Sequence, residues 1–193
     1  MILPIHTFGS GILREETVPV EEVTPELTTL IADMIETMHH ADGIGLAAPQ
    51  VGRRERLFVV DLSGIFERDE IDPATMPDQP MVFINPEITW ESEEEEGFEE
   101  GCLSIPDLRD TVYRPEAIGL VYQDAELKSH ELDLDGMLAR VVQHEYDHLE
   151  GILFVDHLST FRRRMLKRKL ARMAEGDVEA DYPLAPVGDD AVA

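Results

Sequence analysis

Residues 144–148 of this chain read H-E-x-x-H. On a helix, His144 and His148 lie four residues apart on one face, so both imidazoles can grip one metal ion from adjacent turns. Glu145 then stands beside the ion, placed to move protons to and from a water that the ion activates. The chemistry indicated is metal-assisted hydrolysis. Leu138, Val141, Val142 and Leu149 give the same segment an apolar face. Two imidazoles and a carboxylate on such a helix require a compensating partner, because burying unpaired polar groups is costly. The neighbouring pair His39 and His40 has no matching partner in the sequence and reads as surface.

A catalytic centre of this type takes a third protein ligand and keeps one position open. Glu150, Asp156 and His157 follow His148 closely. The longer pattern H-E-x-x-H-x-x-G-x-x-H is almost complete, with Gly151 in place, but Phe154 stands where its last His belongs. The ligand can therefore come from elsewhere, and Cys102 is the candidate. A lone cysteine is commonly an inert small hydrophobe. Here Gly101 precedes it and Ser104, Ile105 and Pro106 follow, which suggests a strand end that turns sharply and points its side chain into a cleft. A thiolate and two neutral imidazoles leave one coordination position free. A third stretch, G-I-G-L-A-A-P-Q at 43–50, is rich in small residues. It suits either a tight connection or a backbone that approaches a ligand closely, since glycine puts no side chain in the way. Gln50 at its end offers an amide donor.

G-I-G-L-A-A-P-Q, E-G-C-L-S and Q-H-E-Y-D-H-L-E-G occur here in this order, together with the opening I-L-P-I. In this combination the chain resembles the peptide deformylases over about residues 2–170. The resemblance implies removal of the formyl group from N-formylmethionyl peptides. It implies Cys102, His144 and His148 as metal ligands and Glu145 as general base and acid. Gln50 and the backbone N–H of Leu103 are the implied oxyanion donors. The Gly45 backbone is implied to meet the formyl group, and Arg109 to lie near the bound peptide. The implied ion is Fe(II), replaceable by nickel, zinc or cobalt. A formylated N-terminus is neutral, so an apolar pocket suffices for the methionine. Val141 and Met137, one and two turns before His144, are plausible walls, with Ile44 opposite. The peptide can pair with the extended chain at 43–46 by strand addition. Asp147 could orient a ligand or pair with Arg114. Two other readings are a zinc endopeptidase and a catalytically silent metal-binding or ribosome-associated protein. Glu145 and Gln50 argue against the silent protein, since metal binding alone needs neither.

The elements that must position these residues follow from pattern. Residues 1–23 read as extended chain and turns broken by Pro4, Gly9, Gly11 and Pro19. Thr24 and Pro25 mark a helix start, and apolar residues at helical spacing carry that helix to about His40. Strands are predicted over 56–62, 81–90 with an interruption at Asn85 and Pro86, 112–122 and 130–134. Residues 63–80 read as a polar loop and the glutamates of 91–96 as a solvated turn. A helix over 137–149 carries H-E-x-x-H, and a last helix spans 159–174. The fold class predicted is α+β: one domain with antiparallel strands around a central metal-binding helix, and a C-terminal helix. Residues 1–175 form the expected catalytic unit, and 176–193 the expected disordered acidic tail.

Composition narrows the setting. No stretch is long and apolar enough for a transmembrane helix, and the N-terminus has no signal-peptide pattern, so the cytoplasm is expected. Cys102 is the only cysteine, so no intrachain disulfide forms. Asp and Glu number 41 against 16 Lys and Arg, a net charge of −25 that repels phosphates and argues against DNA binding. Against that background Arg162, Arg163, Arg164, Lys167, Arg168, Lys169 and Arg172 cluster on the last helix and suggest docking to the ribosome. The acidic excess and the scarcity of lysine indicate adaptation to salt. A surface of this charge repels itself in dilute buffer, whereas at molar salt the Debye length falls to about 3 Å. The melting temperature is expected to rise more between dilute buffer and molar KCl than that of a near-neutral deformylase measured alongside; an equal response in both proteins would remove the inference.

Overall fold

Leu57, Phe58, Val59 and Val60 form an unbroken apolar run, the mark of a strand covered on both faces. In the computed structural model, which describes residues 1–66 and 76–186, this run is strand β2, Leu57–Val60. It sits in a five-stranded antiparallel sheet with β1 (Gly45–Ala47), β3 (Met81–Glu91), β6 (Ala117–Gln123) and β7 (Ser129–Asp135). The order is β1-β2-β3-β6-β7, which leaves β1 on an edge. Between β3 and β6, β4 (Glu95–Cys102) and β5 (Ile105–Pro115) form a separate antiparallel hairpin.

Alternation along β2 assigns each face of the sheet to a helix. Leu57 and Val59 meet α1 (Pro25–His40) through Leu30, Ile31, Met34 and Met38. Phe58 and Val60 join Phe83, Ile118 and Leu120 beneath Leu138, Val141 and Val142 of α2 (Gly136–Leu149). The hairpin contributes Ile105, Leu108 and Val112 to a third cluster with Leu153, Phe154 and Val155. Leu170 and Met173 of α3 (Thr160–Ala174) close that cluster. Helix α2 therefore lies between the large sheet and the hairpin, as the α+β expectation required.

The local signals for the helices hold. Thr24 caps α1 by accepting the Leu27 N–H at 3.1 Å, with Pro25 in the first turn. The expected interruption of β3 is a bulge at Asn85 and Pro86, where the Asn85 side chain bonds both backbone groups of Val20.

Four strand-level expectations change. The single strand expected at 112–122 is the end of β5 and most of β6, which belong to different sheets. The glutamate run is not one turn, since only 92–94 connect β3 to β4 and Glu95 and Glu96 lie in β4. Neither β4 nor β1 was expected as a strand: the first alternates charged residues with glycine, and the second is three residues of small, apolar chain. The expected loop at 63–80 holds a short 3-10 turn at Ser63–Ile65, and its residues 67–75 lie outside the described residues.

The tail is also corrected in part. Residues 177–186 pack back on the body, where the Ile5 N–H donates to the Pro183 carbonyl at 2.9 Å and the Ala185 N–H to the Ile5 carbonyl at 2.9 Å. Apolar side chains among the acidic ones, Val178, Tyr182 and Leu184, supply the contacts that composition alone did not weigh. Residues 187–193 lie outside the described residues.

Candidate metal centre and active site

Helix α2 brings His144, Glu145 and His148 into the protein, all buried. Cys102 ends β4, where a two-residue turn leads to Ile105, its partner across the hairpin. The expected sharp strand end is there, and it delivers the sulfur to the helix: Cys102 Sγ lies 3.3 Å from His148 Nε2. One ligand atom from each of Cys102, His144 and His148 falls within 4.8 Å of the others. That is close enough for one ion, whose bonds to sulfur and imidazole run about 2.0–2.3 Å. The residues that follow in sequence are engaged elsewhere. Glu150 pairs with Arg56, Asp156 with Arg14, and His157 with Asp147. Phe154, at the position of the missing His, stacks beside the His144 ring at 6.3 Å.

Charge in the centre favours a cation. Burial opposes a proton on either ring. For His148 it prevails, and its pKa lies well below that of a free imidazole. For His144, hydrogen bonds with Cys102 and Glu100 outweigh burial and hold a proton, the place an ion's positive charge would fill. Burial pushes the Glu145 carboxyl up to about 7. Its Oε2 is one of two buried side-chain atoms without a partner among the described residues, the other being His148 Nδ1. A carboxyl poised near neutrality suits both taking and returning a proton. The donor set and the unpartnered carboxylate oxygen together fit a catalytic metal.

The residue that sequence reasoning missed is Glu100. Its Oε2 accepts His144 Nδ1 at 2.9 Å, and its two oxygens accept Arg114 at 2.7 and 3.1 Å. Arg140, one turn before His144, adds a bond at 3.2 Å. Burial alone would raise the Glu100 carboxyl, but the bonds from His144 and Arg114 hold it well below the carboxylate range. Glu100 therefore orients the His144 ring and leaves Nε2 for the centre. Asp147 meets the expectation of a pair with Arg114, at 2.7 Å. The signal for Glu100 was its place inside E-G-C-L-S, opposite two arginines that no local pattern connects to it.

Gln50 reaches the centre from the other side. The Ala47 N–H fixes its Oε1 at 2.8 Å, and its Nε2 donates to Ser104 Oγ at 3.2 Å and approaches Cys102 Sγ at 3.5 Å. Gly45 lies against Glu145, and a methyl group there would sit 2.8 Å from both Cγ and Cδ of that buried side chain, so any substitution must displace Glu145. A cleft of about 1640 Å³ opens over the centre. Ile44, Gly45, Gln50, Cys102, Leu103, Arg109, Met137, Val141, His144 and Glu145 all line it, and Ile65 adds an apolar wall that was not foreseen. His148 lies behind them. The volume exceeds that of usual small-ligand sites and leaves room for a peptide segment.

Glu100→Gln keeps the shape of the side chain but weakens its hold on His144 and on both arginines. Metal affinity, measured by competition with a chelating dye, is expected to fall about 10–100-fold. Unchanged affinity in a folded variant would show that Glu100 does not set the ligand.

A family profile described as polypeptide deformylase matches residues 2–164. A peptide deformylase of Salinibacter ruber is 59% identical over 194 residues, covering 100% of this chain and 98% of that protein. The crystal structure of a peptide deformylase from Legionella pneumophila is 41% identical with a TM-score of 0.79, covering 92% of this chain and 98% of that one. That of Ehrlichia chaffeensis is 37% identical with a TM-score of 0.81, covering 92% and 99%. With the profile spanning most of the sequence, and relatives this similar matched along nearly their whole length, the chain belongs to the polypeptide deformylase family.

Proposed function

We propose that this chain removes the formyl group from the N-terminal formylmethionine of newly made proteins by metal-dependent hydrolysis. The observation that carries the residue roles is the meeting of Cys102, His144 and His148 beside the unpartnered Glu145 carboxylate, under one peptide-sized cleft. Cys102 Sγ and the two imidazoles hold the ion. We infer Fe(II), with zinc, nickel or cobalt as replacements, since a thiolate with two imidazoles suits all four. When bound, the ion supplies a Lewis acid that polarises the formyl carbonyl and lowers the pKa of a neighbouring water.

The chain's own groups do the rest. Glu145 accepts the proton of the attacking water and returns it to the departing amine. Gln50 Nε2 and the Leu103 N–H meet the oxygen on which negative charge develops. Because the Ala47 N–H already fixes the Gln50 amide, little reorganisation is needed during reaction. The free edge of β1 gives the peptide backbone a strand to pair with. Ile44, Met137 and Val141 receive the methionine side chain, while Arg109, opposite Gly101 in the hairpin, lies near the following peptide. Among the described residues no helix is long and apolar enough to cross a membrane. The cytoplasm, where formylated chains are made, is the proposed location.

Helix α3 is the proposed contact with the ribosome. Arg162 pairs with Asp110 and Arg172 with Asp177. Lys169 bonds the Asp107 carbonyl. Arg163, Arg164, Lys167 and Arg168 are exposed and make no ion pair among the described residues. Met165 is 61% exposed, and Phe161, one turn before it, is 70% exposed. The packed stripe is Leu166, Leu170 and Met173. The outward face therefore combines free cations with an apolar strip, suited to RNA phosphates and a protein surface together.

Two measurements test these assignments. Glu145→Ala, loaded with metal, is expected to retain its ion and lose about 10²–10⁴-fold in turnover of a formyl-methionyl peptide. N-acetyl and internal-peptide substrates run in parallel should be cleaved poorly by the wild type; preferential cleavage of the internal bond would favour an endopeptidase, and an active variant would remove Glu145 from its role. For the partner, replacing Arg163, Arg164, Lys167 and Arg168 by alanine should reduce co-sedimentation with ribosomes, and equal sedimentation would exclude this face.

A further inference from the structure

The family profile stops at residue 164, yet the chain goes on contributing to the cleft after α3. Beyond Gly176, residues 177–186 form a strap that crosses to the N-terminal segment. Val178 packs with the Ile105 and Leu108 cluster, and Tyr182 with the Leu46 and Leu57 cluster. Leu184 pairs in parallel with Ile5, and Ala185 is buried. Residues 178–182 and Leu184 thereby line the cleft that contains Gln50, Cys102 and Glu145. At the middle of the strap, the Tyr182 hydroxyl donates to the Leu103 carbonyl at 2.7 Å.

Leu103 and Ser104 are the two turn residues between Cys102 and Ile105. The hairpin register shifts between Gly101 and Cys102, so a single pair, Cys102 with Ile105, closes the turn beyond the regular ladder. Partners from outside the hairpin add to its orientation. The Phe8 N–H donates to the Ser104 carbonyl at 2.8 Å, Gln50 Nε2 to Ser104 Oγ at 3.2 Å, and Tyr182 to Leu103. Of these, only Tyr182 holds the backbone of Leu103. Burial pushes the Tyr182 phenol up, so it remains a donor at ordinary pH.

We propose that Tyr182 is a positioning residue: by holding the Leu103 carbonyl it sets the turn that aims the Leu103 N–H at the reacting oxygen. The strap is then a working part of the active site, and the catalytic unit extends past residue 175 to at least the Leu184 pairing. The proposal rests on the deformylase reading of Leu103 given above. An oxyanion donor is effective when it is already aimed where charge develops, and small misplacements are costly. Loosening the turn should therefore lower kcat and leave substrate binding largely intact.

Tyr182→Phe keeps the ring and its packing and removes only the donor. In the full-length, metal-loaded protein, kcat on a formyl-methionyl peptide is expected to fall about tenfold, part of the ~10²–10³-fold cost of deleting an oxyanion donor. KM should stay within about twofold, since binding common to ground and transition states is untouched. Melting temperature and metal content should match the wild type. Backbone hydrogen exchange should speed up at 101–106 and be unchanged in β2 and α2. An unchanged kcat overturns the proposal, and so does a loss of activity accompanied by faster exchange throughout, which would make Tyr182 merely structural. Should the wild type itself fail on formyl-methionyl peptides, the reaction reading falls, and exchange at 101–106 alone decides whether Tyr182 holds the turn.

Discussion

The carboxylate of Glu100 is the point on which the other parts of the site depend. It comes from β4, yet its partners are Arg114 on β5, and Arg140 and His144 on α2. A buried charge is tolerable only when its partners are complete, and removing one member of such a group typically costs about 3–5 kcal/mol. The network therefore ties the hairpin to the helix in one arrangement. Arg114 carries it on to Asp147, and Asp147 to His157, so both ends of the H-E-x-x-H turn are anchored. The same bonds fix which nitrogen of His144 is free. Structural and chemical demands thus meet in one side chain.

That anchoring explains why the site lies at a seam. The large sheet and α2 form one layer pair, and the hairpin with α3 forms another cluster. Cys102 belongs to the second and the histidines to the first, so the candidate metal-binding side chains come together only when the two pack. Glycine at position 45 lets the edge strand close on Glu145. Burial then shifts the carboxyl toward neutrality. Among the described residues no further strand pairs with the outer side of β1, so the sheet ends at the cleft.

The acidic excess of the chain does not reach this interior. Around the centre, Glu100 and Asp147 face Arg114 and Arg140, and of the other 14 Lys and Arg half lie on α3. Surface charge and buried charge therefore obey separate constraints. Outside, like charges are spread and screened by solvent; inside, Glu100, Asp147, Arg114 and Arg140 pair with one another, and Glu145 keeps one oxygen without a partner among the described residues.

Local physical chemistry was legible in the sequence wherever neighbours in the chain decide the outcome. The cap at Thr24, the helical spacing through Met38, the break at Asn85 and the placement of His144, Glu145 and His148 on one helix face are all of this kind. Cys102, Gln50 and Gly45 were legible because their motifs, taken together, match a family. Strands β1 and β4 were not, since three small residues or a row of exposed glutamates carry little period, and only pairing with β2 or β5 makes them strands. Glu100, Tyr182 and the docked strap were hidden for the same reason: Glu100 acts on a residue 44 positions away and Tyr182 on one 79 positions away, and the strap pairs with Ile5 near the other end of the chain. The candidate ligand types, the helix that presents them and the reaction class could all be read along the chain. Tertiary structure alone decided which carboxylate orients His144 and which hydroxyl holds the Leu103 turn, because a buried polar group takes its partner from whatever packing brings within reach, and no local pattern records that choice.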